Sequence, residues 1–181
     1  MNISSLSGLI AAAVLFTGLA HAGTDQKDTS AALTVTGGAY DSANTNCAVE
    51  LHPTTISIES TLEDLLPQGT KLLPSDIVNV SVSGDSNCYR AFLAGKMLYR
   101  FVGVGDEKTG EVLANADTSE GAAAGVGIGI YSIFGDPIAL NTGTMSTQSD
   151  KFGLRAVSLD REIPVKSGNI SSTLTVQLEH L

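Results

Sequence analysis

The C-terminal end of this chain constrains the fold more than any other segment. From Ile170 to Leu178, every second position except Ser172 is apolar. A period of two places alternate side chains on one face of a β-strand, whereas a helix repeats every 3.6 residues. The segment therefore predicts a strand with one largely apolar face, made by Ile170, Ser172, Leu174, Val176, Leu178 and His180.

Similar short segments recur along the chain, and turn residues separate them. Met97–Val104 precedes the turn-rich Gly105–Gly110, and Ala122–Ser132 precedes Gly135-Asp136-Pro137. No long helical pattern interrupts the series. Charged residues make up 16% of the chain, below the roughly 25% of an average domain, while Gly, Ser, Thr and Val are plentiful. Seven or eight short strands are expected, in an all-β, immunoglobulin-like β-sandwich.

The N-terminus predicts export. An apolar run from Leu9 to Ala20 is followed by Ala20-His21-Ala22, the small-x-small pattern that signal peptidase cleaves. The run is shorter than the ~20 residues needed to span a bilayer, and no later segment is long and apolar enough. We expect a signal peptide over residues 1–22, cleavage after Ala22, and no membrane span.

Two cysteines, Cys47 and Cys88, remain after this cleavage. In an exported protein, an even number of thiols predicts a disulfide. Its closed loop of 41 residue steps would contribute about 4 kcal/mol in the chain-entropy model. A metal pair or a catalytic thiol is the weaker interpretation, because there is no Cys-x-x-Cys pair. Only two histidines, His52 and His180, are left to complete a zinc site.

Charge and motifs argue against several functions. Lys and Arg total 10 against 19 Asp and Glu, a net charge of −9, which disfavours nucleic acid as a partner. No Gly-x-Ser-x-Gly elbow occurs, and Gly125–Gly129 lacks the third spaced glycine and following helix of a dinucleotide loop, so we interpret it as a close-packed strand. No catalytic residue, cofactor or metal is predicted. We interpret the remaining acidic cluster as solvated turns rather than a calcium site: Asp106, Glu107, Asp117 and Glu120.

An alternating segment precedes the first cysteine. Residues 23–30 are polar and are expected to be a flexible leader, and the residues after them alternate with a glycine gap in the apolar face. A detached strand exposes backbone groups and an apolar face, so it needs a partner sheet. We interpret it as a strand added to the sheet of a neighbouring subunit, with a glycine marking its register. The predicted donor-strand residues are Leu33, Val35, Gly37 and Ala39.

With these features together, the chain resembles subunits of chaperone-usher pili, the type 1 fimbrial family. The resemblance covers essentially the whole chain after the signal peptide, and Gly168 is fourteenth from the C-terminus, where family members tend to carry a glycine. His180 stands where the family usually has Tyr. Besides the alternating N-terminal segment, the matching pieces are Cys47-Ala48-Val49 with Cys88, Leu98–Asp106, Val112–Asn115 and Gly121–Ile130.

The resemblance implies an incomplete immunoglobulin-like sandwich, the pilin fold, with a signal peptide at 1–22, an N-terminal donor-strand extension at 23–45 and a pilin domain at 46–181. Its groove would be filled first by a periplasmic chaperone. After passage through an outer-membrane usher, the extension of the next subunit would replace the chaperone. One groove edge, which also contacts the chaperone, would be the C-terminal strand with Gly168, Ile170, Leu174, Val176, Leu178 and His180.

The expected function is therefore structural: a subunit of a bacterial fimbria on the cell surface that contributes to adhesion, with neighbouring pilus subunits as partners. The alternative is a self-complete secreted sandwich that binds carbohydrate or another ligand, with the N-terminal strand folded onto its own sheet. An enzyme would need a clustered histidine or carboxylate pair that the sequence lacks. The first two hypotheses differ in whether the N-terminal strand pairs within its own chain or with another.

Overall fold

The computed structural model describes residues 28–39 and 46–181, so the predicted signal peptide at 1–22 lies outside the described residues. The described chain is mostly β, in two sheets, which confirms the all-β prediction. The elements are β1 (Asp28–Ala39), β2 (Cys47–His52), β3 (Thr55–Thr61), β4 (Asp76–Gly84), α1 (Ser86–Leu93), β5 (Met97–Gly103), β6 (Val126–Tyr131), β7 (Pro137–Ile138), β8 (Thr144–Ser146), β9 (Lys151–Ser158) and β10 (Asn169–His180).

Each sheet has five strands. The first sheet has the order β3-β1-β10-β5-β8, and the second has the order β2-β4-β9-β6-β7. All neighbouring strands are antiparallel except β1 and β10, which run parallel. The described part therefore has ten strands where seven or eight were expected. The difference is explained by the very short β7 and β8, of two and three residues, which leave little periodic signal.

The core lies between the two sheets. Phe101 of β5 and Phe152 of β9 meet edge to face there, with ring centroids 5.0 Å apart. All six residues of β6 are buried, and Gly127 leaves room for the chain that pairs with the edge of β6 at Ile128: a Cβ added to Gly127 would lie 2.8 Å from the Leu113 carbonyl oxygen. The glycine-rich segment is thus a close-packed strand, as the sequence predicted.

Helix α1, of eight residues, was not predicted from the sequence. The Asp85 carboxylate caps the helix by accepting hydrogen bonds from the backbone N–H of Asn87 at 2.8 Å and of Cys88 at 2.9 Å. Cys88 is buried on this helix and forms a disulfide with Cys47 at the start of β2, which confirms the predicted pairing. The disulfide therefore ties β2 to the helix that connects the two sheets.

The interpretation of the acidic residues as solvated was wrong for Asp106. This side chain is only 5% exposed, and its Oδ1 accepts hydrogen bonds from the backbone N–H of Lys108 and Thr109 at 2.9 and 3.0 Å. Burial alone would raise the pKa of Asp106, but these bonds, with others from the Val112 N–H and the Thr109 hydroxyl, hold it below the ordinary value. Asp106 therefore organises the turn between β5 and the loop over β6.

The polar leader also ends earlier than expected, because Asp28 to Ser30 already belong to β1. Backbone pairing with β3 and β10 extends the strand beyond the apolar alternation that marks it in the sequence.

Among the described residues, no helix is long and apolar enough to cross a membrane. Within the same residues, no group of three or more His, Cys, Asp or Glu side chains is arranged to hold a metal ion.

Candidate functional site: the groove that holds the N-terminal strand

Strand β1 is an interior strand of the first sheet, although it stands before every other described element. Ten residues, Ser30 to Ala39, pair in parallel with Asn169 to Leu178 of β10. On the other edge, the seven residues from Asp28 to Thr34 pair antiparallel with β3. The N-terminal strand therefore completes a sheet of its own chain, in the gap between β3 and β10. We call this gap the β1 groove.

Side chains of β1 alternate between the core and the surface. Leu33 and Val35 are 0% and 1% exposed, while Thr34 and Thr36 between them are exposed. Burying a Leu or Val side chain contributes roughly 1.5–3 kcal/mol relative to leaving it exposed. Outside the sheet ladders, the Val35 N–H donates to the Thr54 carbonyl at 2.9 Å. β1 is therefore bound by both its backbone and its inward side chains.

Of the four predicted donor-strand residues, the structure describes the side chains of Leu33 and Val35, and both enter the core. The backbones of Gly37 and Ala39 pair with Val176 and Leu178 of β10. The strand that the structure places beside them belongs to the same chain. Whether β1 also enters another subunit remains a prediction.

Strand β10 forms one edge of the β1 groove, with its predicted apolar face turned inward. The Ile170, Leu174, Val176 and Leu178 side chains are all buried. Ser172, the polar residue in this series, donates its hydroxyl to the Ala114 carbonyl at 2.5 Å, so its burial leaves no unpaired group.

Gly168 stands just before β10, and close backbone contacts explain why it is a glycine. A Cβ at this position would lie 2.4 Å from the Gly121 carbonyl oxygen and 2.6 Å from the Ala123 nitrogen. The following residue, Asn169, bonds the same loop: its N–H donates to Gly121 and its carbonyl accepts from Ala123, both at 2.9 Å. Gly168 thereby lets β10 begin against this loop. At the other end of β10, His180 pairs with Met97.

Strand β3 forms the opposite edge of the groove, which the sequence analysis did not identify. Ile56 and Ile58 point into the core, and the alternating Thr-Ile-Ser-Ile pattern was the available signal. Among the described strands, β3 pairs only with β1. Removing β1 would therefore leave one backbone edge of β3 and one of β10 unpaired, and would expose the core side chains that β1 covers.

The β10 edge is held in place independently of β1. The Arg100 guanidinium on β5 forks onto the Glu179 carboxylate of β10, with Nη2 to Oε2 at 2.7 Å and a second bond from Nε to Oε1. Arg100 also donates to the Asn141 carbonyl at 2.9 Å. The hydrogen bond raises the pKa of Arg100 and lowers the pKa of Glu179. β5 thus fixes the position of β10.

Both ends of the segment that follows β1 lie at the same end of the sandwich. Ala39 pairs with Leu178, two residues before the end of β10. The Cys47 sulfur lies 3.9 Å from the Met97 sulfur, and Met97 pairs with the last residue of β10. Residues 40–46 therefore connect two nearby points.

Comparison of the sequence with known protein families and with curated proteins finds no match for this chain.

Proposed function

We propose that this chain is the structural subunit of a bacterial fimbria, assembled by donor-strand exchange through a chaperone-usher pathway and contributing to adhesion at the cell surface. One observation carries the proposal: an interior core strand, β1, comes from the N-terminal end of the described chain and fills a groove between two strands that do not pair with each other. A strand placed in this way can be exchanged for an equivalent strand from another copy.

The pairing pattern makes this exchange physically reasonable. Residues 40–46 join β1 to the following described strands, and the departure of β1 breaks no pairing between other described strands. An incoming copy of β1 would restore both hydrogen-bonded edges and rebury the same two apolar side chains. Exchange then replaces each lost interaction with an equivalent one, so assembly requires no nucleotide hydrolysis.

The proposed partners follow from the same groove. A periplasmic chaperone would occupy it before assembly by supplying a strand between β3 and β10. An outer-membrane usher would then bring subunits together, and the β1 of the neighbouring subunit would enter the groove. The buried face of β10, from Ile170 to Leu178, is the surface that each successive strand would contact.

The length of the connecting segment limits how a chain can fill its own groove. Eight residue steps separate Ala39 from Cys47, a reach of about 29 Å at full extension. Turning β1 round would move Ala39 to the far end of the strand, about 36 Å from its present position. The short connection therefore favours the observed parallel orientation when a chain fills its own groove.

A self-complete secreted binding module is the second candidate function. It is favoured by the intramolecular position of β1, which already fills the groove of its own chain. The two functions differ in whether β1 leaves this groove. In the module β1 is permanent, whereas in the fibre subunit it is a temporary occupant that is replaced during assembly.

A reversible crosslink across the groove tests this difference. Thr36 and Thr175 lie on adjacent strands with hydroxyl oxygens 3.1 Å apart, so the double variant Thr36→Cys/Thr175→Cys can lock β1 in place. The assay follows incorporation of a fluorescent peptide with the sequence of residues 28–39 into the full chain, in urea below the unfolding midpoint. The single variants Thr36→Cys and Thr175→Cys serve as matched controls.

We expect the wild type and both single variants to incorporate the peptide and to form oligomers by light scattering, and the oxidised double variant to do neither. Selective reduction of the new disulfide should restore incorporation. If the wild type incorporates no peptide, or if the locked variant incorporates it as fast as the controls, β1 is not exchanged. The self-complete module would then be the better description.

A further inference from the structure

One end of the sandwich gathers the chain segments that flank the connection after β1, and we call it the α1 end. Ala39 pairs with β10 two residues before that strand ends. Cys47 is joined to Cys88 of α1 by the disulfide, and the chain after α1 reaches Met97, which pairs with the last residue of β10. The end of β1, the start of β2 and the helix therefore lie together.

Helix α1 exposes apolar side chains at this end. Tyr89 and Leu93 are 61% and 62% exposed, and their spacing of four residues places them on one face of the helix. Beside Tyr89 is a cavity of about 260 Å³ between α1 and β4, with Val82 and Phe92 among its walls. An exposed apolar face of this kind, with a depression next to it, is typical of a surface that binds another protein.

The local charge favours a second copy of the same chain. From Asp85 to Lys96 there is one acidic residue, Asp85, against two basic residues, Arg90 and Lys96. The chain as a whole has a net charge of −9, so two copies generally repel each other. This repulsion is weaker where basic residues outnumber acidic ones, as they do in and around α1.

The connection after β1 determines which ends of two copies can meet. A β1 that enters the groove of a second copy in the observed parallel register has its Ala39 at the α1 end of that copy. The eight residue steps to Cys47 reach at most about 29 Å, and Cys47 lies at the α1 end of the copy that donates the strand. The α1 ends of the two copies are therefore held near each other.

We propose that two copies exchange β1 reciprocally in this register and dock through the Tyr89–Leu93 faces of their α1 helices. Such a pair has twofold symmetry, fills both grooves and leaves neither open to a third copy. The inference rests on the proposed exchange of β1 and adds an orientation and a docking surface. A linear fibre differs, because end-to-end growth brings two different ends into contact and so needs β1 to enter the groove the other way round.

The α1 faces supply the attraction that exchange alone does not provide. In the pair, each contact of β1 is replaced by the same contact with the other copy, so the exchange itself adds neither hydrogen bonds nor buried side chains. Association costs translational and rotational freedom, which only new contacts can offset. Burial of Tyr89 and Leu93 of both copies provides these contacts.

A mixture of two single variants of the full chain, Thr36→Cys and Thr175→Cys, tests the orientation. These positions are partners in the parallel register, so a disulfide between two chains forms when the β1 of one lies in the groove of the other in that register. A β1 reversed over the same span would place Thr36 opposite Ser172, three residues from Thr175 and too far to crosslink. The chains are mixed in urea below the unfolding midpoint, returned to buffer and oxidised, and each variant alone is the control.

We expect a linked pair of chains on a non-reducing gel, and a dimer as the main species by light scattering. Leu93→Ser and Tyr89→Ser, each made in both copies, should weaken the dimer about tenfold, because each removes apolar surface from the contact twice. Leu73→Ser is the matched control, since this leucine is 69% exposed on the loop before β4 and should leave the dimer unchanged. An unchanged urea midpoint at low protein concentration shows that each variant is folded.

The inference is wrong if no linked pair forms while a peptide of residues 28–39 still enters the groove. Exchange would then occur without this pair, and the proposed function would stand. The inference is also wrong if Leu93→Ser and Tyr89→Ser dimerise as tightly as the wild type, or if most linked chains occur in species larger than a dimer. If neither the peptide nor a second chain enters the groove, the inference and the proposed function both fail.

Discussion

Strands β1 and β6 occupy similar places in the two sheets but are held in different ways. Each is an interior strand with a hydrogen-bonded neighbour on both edges. All six residues of β6 are buried, because Val112 and Leu159 pack on the face that points away from the core and Leu113 pairs with the edge of the strand. In β1, by contrast, Leu33 and Val35 are buried while Thr34 and Thr36 face solvent.

This difference is what the proposed function requires: β6 as a permanent strand and β1 as one that another strand replaces. The contacts of β6 come from both of its faces and from chain segments on either side of it, so no other strand can take its place. The contacts of β1 are a backbone ladder and an alternating row of side chains, which any strand of the same pattern can supply. Being interior to a sheet therefore does not by itself make a strand indispensable.

The largest effect is expected when the same kind of truncation is made in both strands. Ile128→Ala in β6 should lower the free energy of unfolding by about 2–5 kcal/mol, since it leaves a cavity in the core. Leu33→Ala in β1 should cost less if β1, as proposed, leaves the groove before the sandwich unfolds. Urea unfolding, with and without excess peptide of residues 28–39, measures both changes.

The peptide should restore the stability of Leu33→Ala, because it supplies the intact strand, and should leave the loss in Ile128→Ala uncorrected. Thr34→Ala is the matched control, since it changes an exposed neighbour on the same strand and should have little effect. If the peptide rescues neither variant, or both equally, the distinction between the two strands fails.

A smaller effect is expected from the turn that leads into the loop over β6. Asp106→Asn should cost about 1–3 kcal/mol at neutral pH, because a charged acceptor of several backbone hydrogen bonds is lost. The folded-state pKa of Asp106 is lowered, so its contribution is present above the unfolded-state pKa of about 3.9 and is lost as pH falls through the folded value.

The difference in stability between wild type and Asp106→Asn should therefore shrink in acid, as measured by urea unfolding at a series of pH values from neutral to about 3. A penalty that stays constant over this range would show that the charge of Asp106 does not contribute. Asp117→Asn is a useful comparison, because Asp117 lies outside this turn and is more exposed.

The smallest effect is expected at the half-exposed pair that fixes the β10 edge. Glu179→Gln removes the charge that Arg100 contacts, and solvent screening limits the loss. The shift in urea midpoint should be smaller than for Asp106→Asn and should vanish in roughly 1 M salt, where the Debye length is about 3 Å. If Glu179→Gln instead lowers the urea midpoint strongly at every salt concentration, β5 holds β10 more strongly than we infer. The β10 edge of the groove would then be more rigid.

The sequence predicted what depends on local alternation. Buried faces of β1 and β10 were visible as period-two patterns, and the disulfide followed from the cysteine count and the expected export. The partner of β1 was not predictable in the same way, because Leu33 and Val35 encode an apolar face and say nothing of which copy of the groove receives it. The role of β3 as a groove edge was not predictable either, because it depends on β1 lying beside β3.

Other features were missed because their signals are short or depend on contacts distant in sequence. Helix α1 is only eight residues long, and its clearest mark is the capping Asp85. Asp106 resembled a surface residue because acidic side chains in turns are usually solvated, yet backbone N–H groups surround it. The cavity lined by Gly129, Tyr131 and Pro137 arises where β6, β7 and two loops meet, so no segment of the sequence displays it alone.

The disulfide also has a mechanical consequence. It joins Cys47, just after the segment that follows β1, to Cys88 in α1, and so closes a loop of 41 residue steps. Tension passed along the covalent backbone from β1 reaches this link before it reaches the rest of β2, β3 or β4. Those strands lie inside the closed loop, so even a fully stretched chain would be shorter by about 140 Å than one without the crosslink.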